Sequence, residues 1–189
     1  MLERVVSFIT DKMVQVQVVE EGEKELYQYG IRNGIMMAMN LLIVLILGVC
    51  YGCCIEMLAF VATYSVLRSY AGGLHMPTHR SCFLFSIPIY ILSAWAISNL
   101  HFSFFPLFAI LACAACILYI AAPVEASNKP LDSVEQKVYG KIIKILTTTL
   151  SVLSLALYYL QFYHISLAVL WAVGLTAVLC LAGKIKGRK

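Results

Sequence analysis

Long apolar runs separated by short polar stretches dominate the hydropathy pattern of this 189-residue chain. A helix needs about 20 mostly apolar residues to cross the hydrocarbon core of a bilayer. Six runs are candidates, at residues 31–50, 55–67, 82–100, 102–122, 142–162 and 165–182. The second run is short, which is typical of a tilted partial span or of a helix that ends inside the membrane. The pattern predicts an all-α integral membrane protein with about six transmembrane helices, folded as a single domain over residues 1–189.

Residues 1–29 differ in character and predict an amphipathic arm. Apolar residues recur there at roughly helical spacing among charged ones, at Val5, Val6, Phe8, Ile9, Met13, Val16 and Val19. We expect this helix to lie on the inner membrane surface; packing against the cytoplasmic end of the bundle is the alternative. The charges within residues 1–25 are unlike those of a cleaved signal peptide, so we expect insertion through the internal helices.

The distribution of charge excludes a soluble globule and predicts an orientation. Only 13% of the residues are charged and 61% are hydrophobic, whereas charged residues make up about a quarter of an average soluble domain. All 14 Lys and Arg residues lie in or beside the arm, the loops 68–81 and 123–144, and the C-terminal tail. Because cytoplasmic loops collect Lys and Arg, both termini and both loops are expected to be cytoplasmic.

Seven cysteines are present, and an odd number within apolar runs is a poor disulfide framework. Cys113 and Cys116 form a CxxC pair, which can indicate redox chemistry or zinc binding. Because the pair lies inside an apolar run with no second pair, we expect both to be small packing residues. Only Cys82 has neighbours that suggest chemistry.

The segment 68–82 concentrates the reactive side chains of the chain, and it reads Arg-Ser-Tyr-Ala-Gly-Gly-Leu-His-Met-Pro-Thr-His-Arg-Ser-Cys. Gly72, Gly73 and Pro77 break helices. Non-helical backbone near the membrane persists only where protein or water satisfies its polar groups, and ionisable residues there are functional suspects. The sequence predicts a non-helical active-site loop at the cytoplasmic side.

A cysteine–histidine pair is the chemistry that this segment favours. Cys82 is expected to open the third helix, with Thr78 or Ser81 as its N-cap. A helix N-terminus and a cation such as Arg80 favour the thiolate that acts as a nucleophile. His75 is placed to fold back against Cys82 as its base. Gly72 and Gly73 would allow a close approach, and their amides are candidates for binding an oxyanion.

Other interpretations of the histidines stay open. His75 would serve equally well as a structural residue that binds backbone carbonyls, and His79 is expected to have a structural role or to be solvated in the loop. The H-x3-H-x2-C spacing of His75, His79 and Cys82 suits a metal, but Pro77 interrupts the alignment and a fourth ligand is missing, so no metal or other cofactor is expected. Interfacial solvation explains the remaining histidines, His101 and His164.

The pattern Arg68-x4-Gly73-x-His75-x6-Cys82 resembles the signature of the accessory gene regulator protein B (AgrB) family. These are integral membrane cysteine endopeptidases of Gram-positive bacteria. The stretch 122–131, with Lys129, resembles the segment that follows the family's fourth span. The resemblance implies that Cys82 is the nucleophile and His75 the general base, with Arg68, Gly73 and Lys129 at positions on which the family's function depends.

The resemblance also implies a substrate, a location and partners. Family members cut the C-terminal tail from a quorum-sensing propeptide, here an AgrD-like peptide, and leave a cyclic thiolactone or lactone. The protein is then expected in the cell membrane as a multi-pass homodimer that contacts lipid and no nucleic acid. A basic patch at Lys129, Lys137, Lys141 and Lys144 is expected to bind the acidic tail of the precursor, or only to anchor the cytoplasmic side.

Two other classes of function compete with the peptidase. A small transporter or channel would place polar residues along several spans, but Glu56 is the only acidic residue in or beside a span outside the cytoplasmic loops. A non-catalytic membrane scaffold would tolerate Cys82→Ala, which a peptidase would not.

Overall fold

The structure, a computed structural model, describes residues 2–74, 79–125 and 132–186, without the side chains of Leu2, His79 and Arg80. These residues form seven α-helices and one short 3-10 helix, Glu21–Glu23. The α-helices are α1 (Leu2–Gln15), α2 (Lys24–Tyr51), α3 (Cys54–Ala71), α4 (His79–Asn99), α5 (Phe104–Ala121), α6 (Ser133–Tyr159) and α7 (Tyr163–Lys186). No strand occurs in the described ranges. The all-α prediction is therefore confirmed.

Five helices in the described part of the chain are long and apolar enough to cross a membrane, one fewer than the predicted count of about six. They are α2, α4, α5, α6 and α7. The difference is α3, which has 18 residues but carries Glu56, Arg68 and a polar stretch at 63–65 that lower its mean hydropathy. Its buried residues recur every three or four positions, so α3 packs one face against the other helices.

The chain divides into two compact units, residues 1–43 and 44–189. In the first unit, α1 is joined to the start of α2 by polar contacts. The Lys24 ammonium lies 2.8 Å from the Asp11 carboxylate, and the Gln28 amide donates to the Thr10 hydroxyl at 3.3 Å. The predicted amphipathic helix is present: Val6 is buried, whereas Phe8 is 63% exposed. Its place on a membrane surface stays a prediction.

In the second unit α7 is the central helix, packed by α3, α5 and α6 with α4 at the side. A helix that is apolar all round is expected to be buried, and α7 has buried residues on every face. Polar contacts within the bundle join it to α6 and to α4. The hydroxyls of Ser154 and Ser166 each donate to the other residue's carbonyl, at 3.0 and 2.7 Å, and the Trp171 indole donates to the Ser93 hydroxyl at 3.0 Å.

The described basic side chains of this unit all lie towards one end of the bundle. At that end α3, α5 and α7 finish and α6 begins: the Lys184 ammonium donates to the Ile120 carbonyl at 3.3 Å, and the Tyr119 hydroxyl donates to the Lys144 carbonyl at 3.4 Å. The opposite end brings His101 and His164 together, with ring centroids 5.4 Å apart. This separation follows the charge pattern from which a cytoplasmic orientation was predicted.

Candidate active site

The helix α3 ends where the sequence predicts a break. Its cap is Gly72, which has φ +65°, and Gly73 follows with φ +110°. Both values lie in the left-handed region, which side chains rarely adopt and glycine adopts readily. The Gly72 N–H donates to the Arg68 carbonyl at 3.3 Å. It is thereby committed to closing the helix, so only the Gly73 N–H of the predicted pair stays a candidate for binding an oxyanion.

The segment after α3 is paired with two distant parts of the chain. The Val124 N–H donates to the Ala71 carbonyl at 2.9 Å, and the Leu74 N–H donates to the Leu179 carbonyl of α7 at 3.0 Å. Gly72 and Val124 form an isolated parallel β-bridge. We call this contact of residues 71–74 with Val124 and with residues 179–183 of α7 the glycine junction.

Three glycines make the glycine junction possible because their backbones approach other backbones closely. A Cβ atom on Gly72 would lie 2.0 Å from the Val124 carbonyl oxygen, and one on Gly73 would lie 2.7 Å from the Leu179 carbonyl oxygen. A Cβ on Gly183 would lie 2.4 Å from the carbonyl carbon of Gly73. Any larger residue at these positions would displace backbone. Sequence reasoning named Gly72 and Gly73 but missed Gly183.

Arg68 fixes the same segment through its side chain. In the last turn of α3, its guanidinium donates one hydrogen bond to the Gly72 carbonyl and a second to the Leu74 carbonyl. The planar fork of arginine suits two acceptors held side by side. Leu74 is therefore held at both its N–H, by Leu179, and its carbonyl, by Arg68. The backbone that leads directly into residue 75 is anchored on two sides.

Cys82 lies in the first turn of α4, and its free thiol is exposed. The helix begins at His79, three residues before the predicted start at Cys82, so Ser81, one of the two predicted N-caps, lies within the helix and is not the cap. The other, Thr78, lies outside the described residues. The Ser86 hydroxyl donates to the Cys82 carbonyl at 3.0 Å, one turn along. An exposed thiol at the start of a helix is accessible to a substrate.

Tyr64 connects Cys82 with Arg68. It lies one turn before Arg68 on α3, within electrostatic range of both the Arg68 guanidinium and the Cys82 thiol. Stacking of the Tyr64 ring on Phe60, with centroids 5.6 Å apart, holds its orientation. The end of α3 and the start of α4 thus bring the arginine of the glycine junction and the predicted nucleophile into one neighbourhood.

A sequence model of the family described as "Accessory gene regulator B" matches residues 3–180. This chain belongs to the AgrB family. The match includes Arg68, Gly72, Gly73 and Cys82 and ends at Cys180, before the last turn of α7. Membership supports a role in processing quorum-sensing peptides for this AgrB family member.

Two curated relatives agree with the family match, both from Clostridium perfringens. AgrB-like protein 2 of strain 13 is 32% identical over 170 residues, which cover 84% of this chain and 79% of the relative. An AgrB-like protein of strain SM101 is 29% identical over 171 residues, with the same coverage of both chains. No solved structure gives a significant match.

Several predicted site residues of this AgrB family member lie outside the described part of the structure. They are His75 and Lys129, together with the side chain of Arg80. The pairing of His75 with Cys82 therefore stays a prediction. Lys137, Lys141 and Lys144, the other members of the predicted basic patch, are exposed on the first half of α6. At three- and four-residue spacing they share one face of that helix.

The remaining cysteines and histidines offer no second centre among the described residues, which contain no group of three or more potential metal ligands. Cys113 and Cys116 are both free and exposed on α5. They were expected to be small packing residues, and in the structure they lie on a face of α5 that is not covered by the other described helices. Cys180, in contrast, is buried beside the Ala71 carbonyl of the glycine junction.

Proposed function

We propose that this chain is a membrane cysteine endopeptidase that cuts the C-terminal tail from a quorum-sensing propeptide and closes the remainder into a ring. Membership of the AgrB family supports the substrate class. The observation that carries the proposal is the double anchoring of Leu74, directly before His75, together with the exposed thiol of Cys82 in the first turn of α4. Precise placement of a base beside a nucleophile is what this reaction requires.

The first half of the proposed reaction forms a thioester. His75 takes the proton of the Cys82 thiol, and the thiolate attacks the scissile carbonyl of the propeptide. The C–N bond then breaks, His75 returns the proton to the leaving amine, and the tail departs. The N-terminal part of the peptide stays attached to Cys82 as an acyl-enzyme.

The second half transfers the acyl group within the bound peptide. A thiol or hydroxyl of the peptide gives its proton to His75 and attacks the thioester carbonyl, and Cys82 leaves as a thiol. Exchange of one thioester for another is nearly balanced in free energy, so a thiolactone product needs no ATP at this step. Water must be excluded, because hydrolysis would release a linear peptide.

The supporting residues have distinct proposed roles. Arg68 is a positioning residue, because its guanidinium binds backbone carbonyls of the chain itself. Gly73 permits the close approach of α7 and offers an N–H to the oxyanion. Arg80 is proposed to favour the Cys82 thiolate. Lys129, with the basic face of α6, is proposed to attract the acidic tail of the precursor. Membrane lipid and a second copy of the chain are further proposed partners, with both termini in the cytoplasm.

Replacing His75 tests the proposed base. In cells that co-express the protein with its cognate propeptide, His75→Ala is expected to leave the precursor whole, since loss of a general base costs about 10²–10⁴-fold in rate. The wild-type protein is expected to release the tail and to yield a product lighter by one water than the linear peptide. Mass spectrometry of the cell extract and medium measures both species.

His79→Ala is the matched control, because His79 lies four residues further on in the same segment and has no proposed catalytic role. It is expected to process the propeptide as the wild type does. Unchanged processing by His75→Ala, at equal protein levels in the membrane, would refute the base assignment. Loss with His79→Ala alone would move the base to that residue.

A further inference from the structure

Two open cavities meet at Lys184, in the last turn of α7. One, of about 350 Å³, lies between α5 and α7 and is lined by Cys116, Ile117, Ile120, Leu181, Ile185 and Lys184. The other, of about 530 Å³, continues past Lys184 over Pro123, Val124 and Gln136 towards Gly183. We call the first of them the α5–α7 cleft. Apart from the lysine ammonium, its lining is apolar.

The α5–α7 cleft opens on the outer surface of two membrane-spanning helices. Ile120 is 80% exposed and Ile185 is 65% exposed, and side chains in such positions contact lipid chains in a bilayer. The cleft lies at the ends of both helices, where the hydrocarbon region gives way to headgroups. An elongated apolar chain with a polar head is the molecule that fits this position.

The positive charge at the mouth of the α5–α7 cleft favours a bound molecule with an anionic headgroup. The Lys184 ammonium uses one of its three N–H donors on the Ile120 carbonyl, at 3.3 Å, and Lys186 lies exposed two residues further on. The neighbouring carboxylate, Glu125, accepts a hydrogen bond from the Gln136 amide at 3.4 Å. Basic sites between transmembrane helices at the cytoplasmic face bind anionic lipid headgroups.

We propose that the α5–α7 cleft binds one anionic phospholipid, with an acyl chain along Ile120 and Ile185 and the phosphate at Lys184. The apolar lining argues against a free phosphate or another soluble anion, which would leave those side chains exposed to water. The cationic mouth favours a net negative lipid over a zwitterionic one, whose own ammonium or choline group would lie near Lys184.

The proposed lipid site adjoins the segment that precedes His75. Its effect on cleavage rests on the proposed peptidase function. Gly183, directly before Lys184, packs against Gly73 and Leu74 in the glycine junction. A lipid held at Lys184 and Ile185 therefore holds the turn of α7 that supports the backbone before His75. Anionic lipid is expected to raise the rate of propeptide cleavage through this turn.

Lipid binding is measured first, without any reference to cleavage. The full-length protein in detergent is mixed with phosphatidylglycerol, phosphatidylcholine or inorganic phosphate, and native mass spectrometry counts what stays bound. We expect one phosphatidylglycerol to be retained in preference to phosphatidylcholine, with no retention of phosphate. Lys184→Gln is expected to weaken retention about fivefold, since one lysine near a headgroup contributes about 1 kcal/mol.

Two further variants test whether lipid retention depends on the α5–α7 cleft and on Lys184 in particular. Ile185→Trp fills the α5–α7 cleft without altering any charge, and it is expected to lower retention of phosphatidylglycerol as well. Lys141→Gln, which removes an exposed lysine of α6, is the matched control and is expected to retain the lipid. Equal retention of both lipids, or equal loss in Lys184→Gln and Lys141→Gln, would overturn the site.

Cleavage is measured second, in vesicles of phosphatidylcholine with and without phosphatidylglycerol. The wild type is expected to cleave faster with phosphatidylglycerol, and Lys184→Gln is expected to lose that difference. Retention of lipid with no cleavage in any vesicle would leave the lipid site standing and refute the peptidase. Cleavage that is equal in both vesicles would refute the coupling between the site and the glycine junction.

Discussion

Cys82→Ala is expected to abolish release of the propeptide's C-terminal tail, while the protein reaches the membrane at the wild-type level. The Cys82 thiol is the only group proposed to form a covalent bond with the substrate. Removal of a nucleophile lowers turnover by more than about 10³-fold. The side chain is exposed in the first turn of α4, so its loss leaves little cavity in the core. Tail release by the reconstituted protein, followed by mass spectrometry, gives the rate.

Cys113→Ala provides the matched control for this prediction. Cys113 is also a free and exposed cysteine, but it lies on α5 and has no proposed role. We expect this variant to cleave the propeptide at the wild-type rate. Wild-type cleavage by Cys82→Ala would favour the scaffold or transporter instead.

Gly183→Ala is expected to lower the rate of tail release by about 10²-fold, the cost of misplacing reacting groups by about 1 Å. The added Cβ would lie 2.6 Å from the Leu74 nitrogen and 2.4 Å from the Gly73 carbonyl carbon. Because both atoms belong to backbone, either α7 or the segment before His75 must shift. The hydrogen bond from Leu74 to Leu179 would then weaken, and overpacking of this kind costs about 1–3 kcal/mol of stability.

The matched control for Gly183 lies on the same helix. A Cβ on Gly174 would meet no atom within 4 Å, so Gly174→Ala is expected to keep both its activity and its thermal midpoint in detergent. The thermal midpoint separates general unfolding from misplacement of the segment. If Gly183→Ala cleaves as fast as Gly174→Ala, the glycine junction does not position His75.

Hydropathy predicted the membrane helices well and their extensions poorly. The run 142–162 corresponds to α6, yet α6 begins nine residues earlier, at Ser133. Its first turns carry Glu135, Lys137 and Lys141 and therefore look polar to a hydropathy count, although a capping box formed by Asp132 and Glu135 starts the helix. The apolar run predicts only the part of a helix that crosses the hydrocarbon core, whereas α6 extends beyond that core into the polar loop.

The candidate site contains residues that a short stretch of sequence identifies and residues that only the fold brings to it. Gly72, Gly73, Arg68 and Cys82 could be named because their chemistry is visible within 15 residues of sequence. Val124, Leu179 and Gly183 could not, since nothing in a glycine at the end of an apolar helix marks a contact with a segment more than 100 residues away. The role of Arg68 as a ligand of backbone carbonyls also became visible only in the fold.

The thioester on Cys82 is tested most directly by measuring the intact mass of the protein during turnover. A propeptide analogue whose ring-closing residue is replaced by alanine can be cleaved but cannot cyclise, so the acyl-enzyme should accumulate. After an acid quench, intact mass spectrometry is expected to show protein heavier by the tail-less linear peptide minus one water. Peptide mapping should place that mass on Cys82, and neutral hydroxylamine should remove it. Release of the tail with no such adduct, or with an adduct on another residue, would contradict covalent catalysis by Cys82.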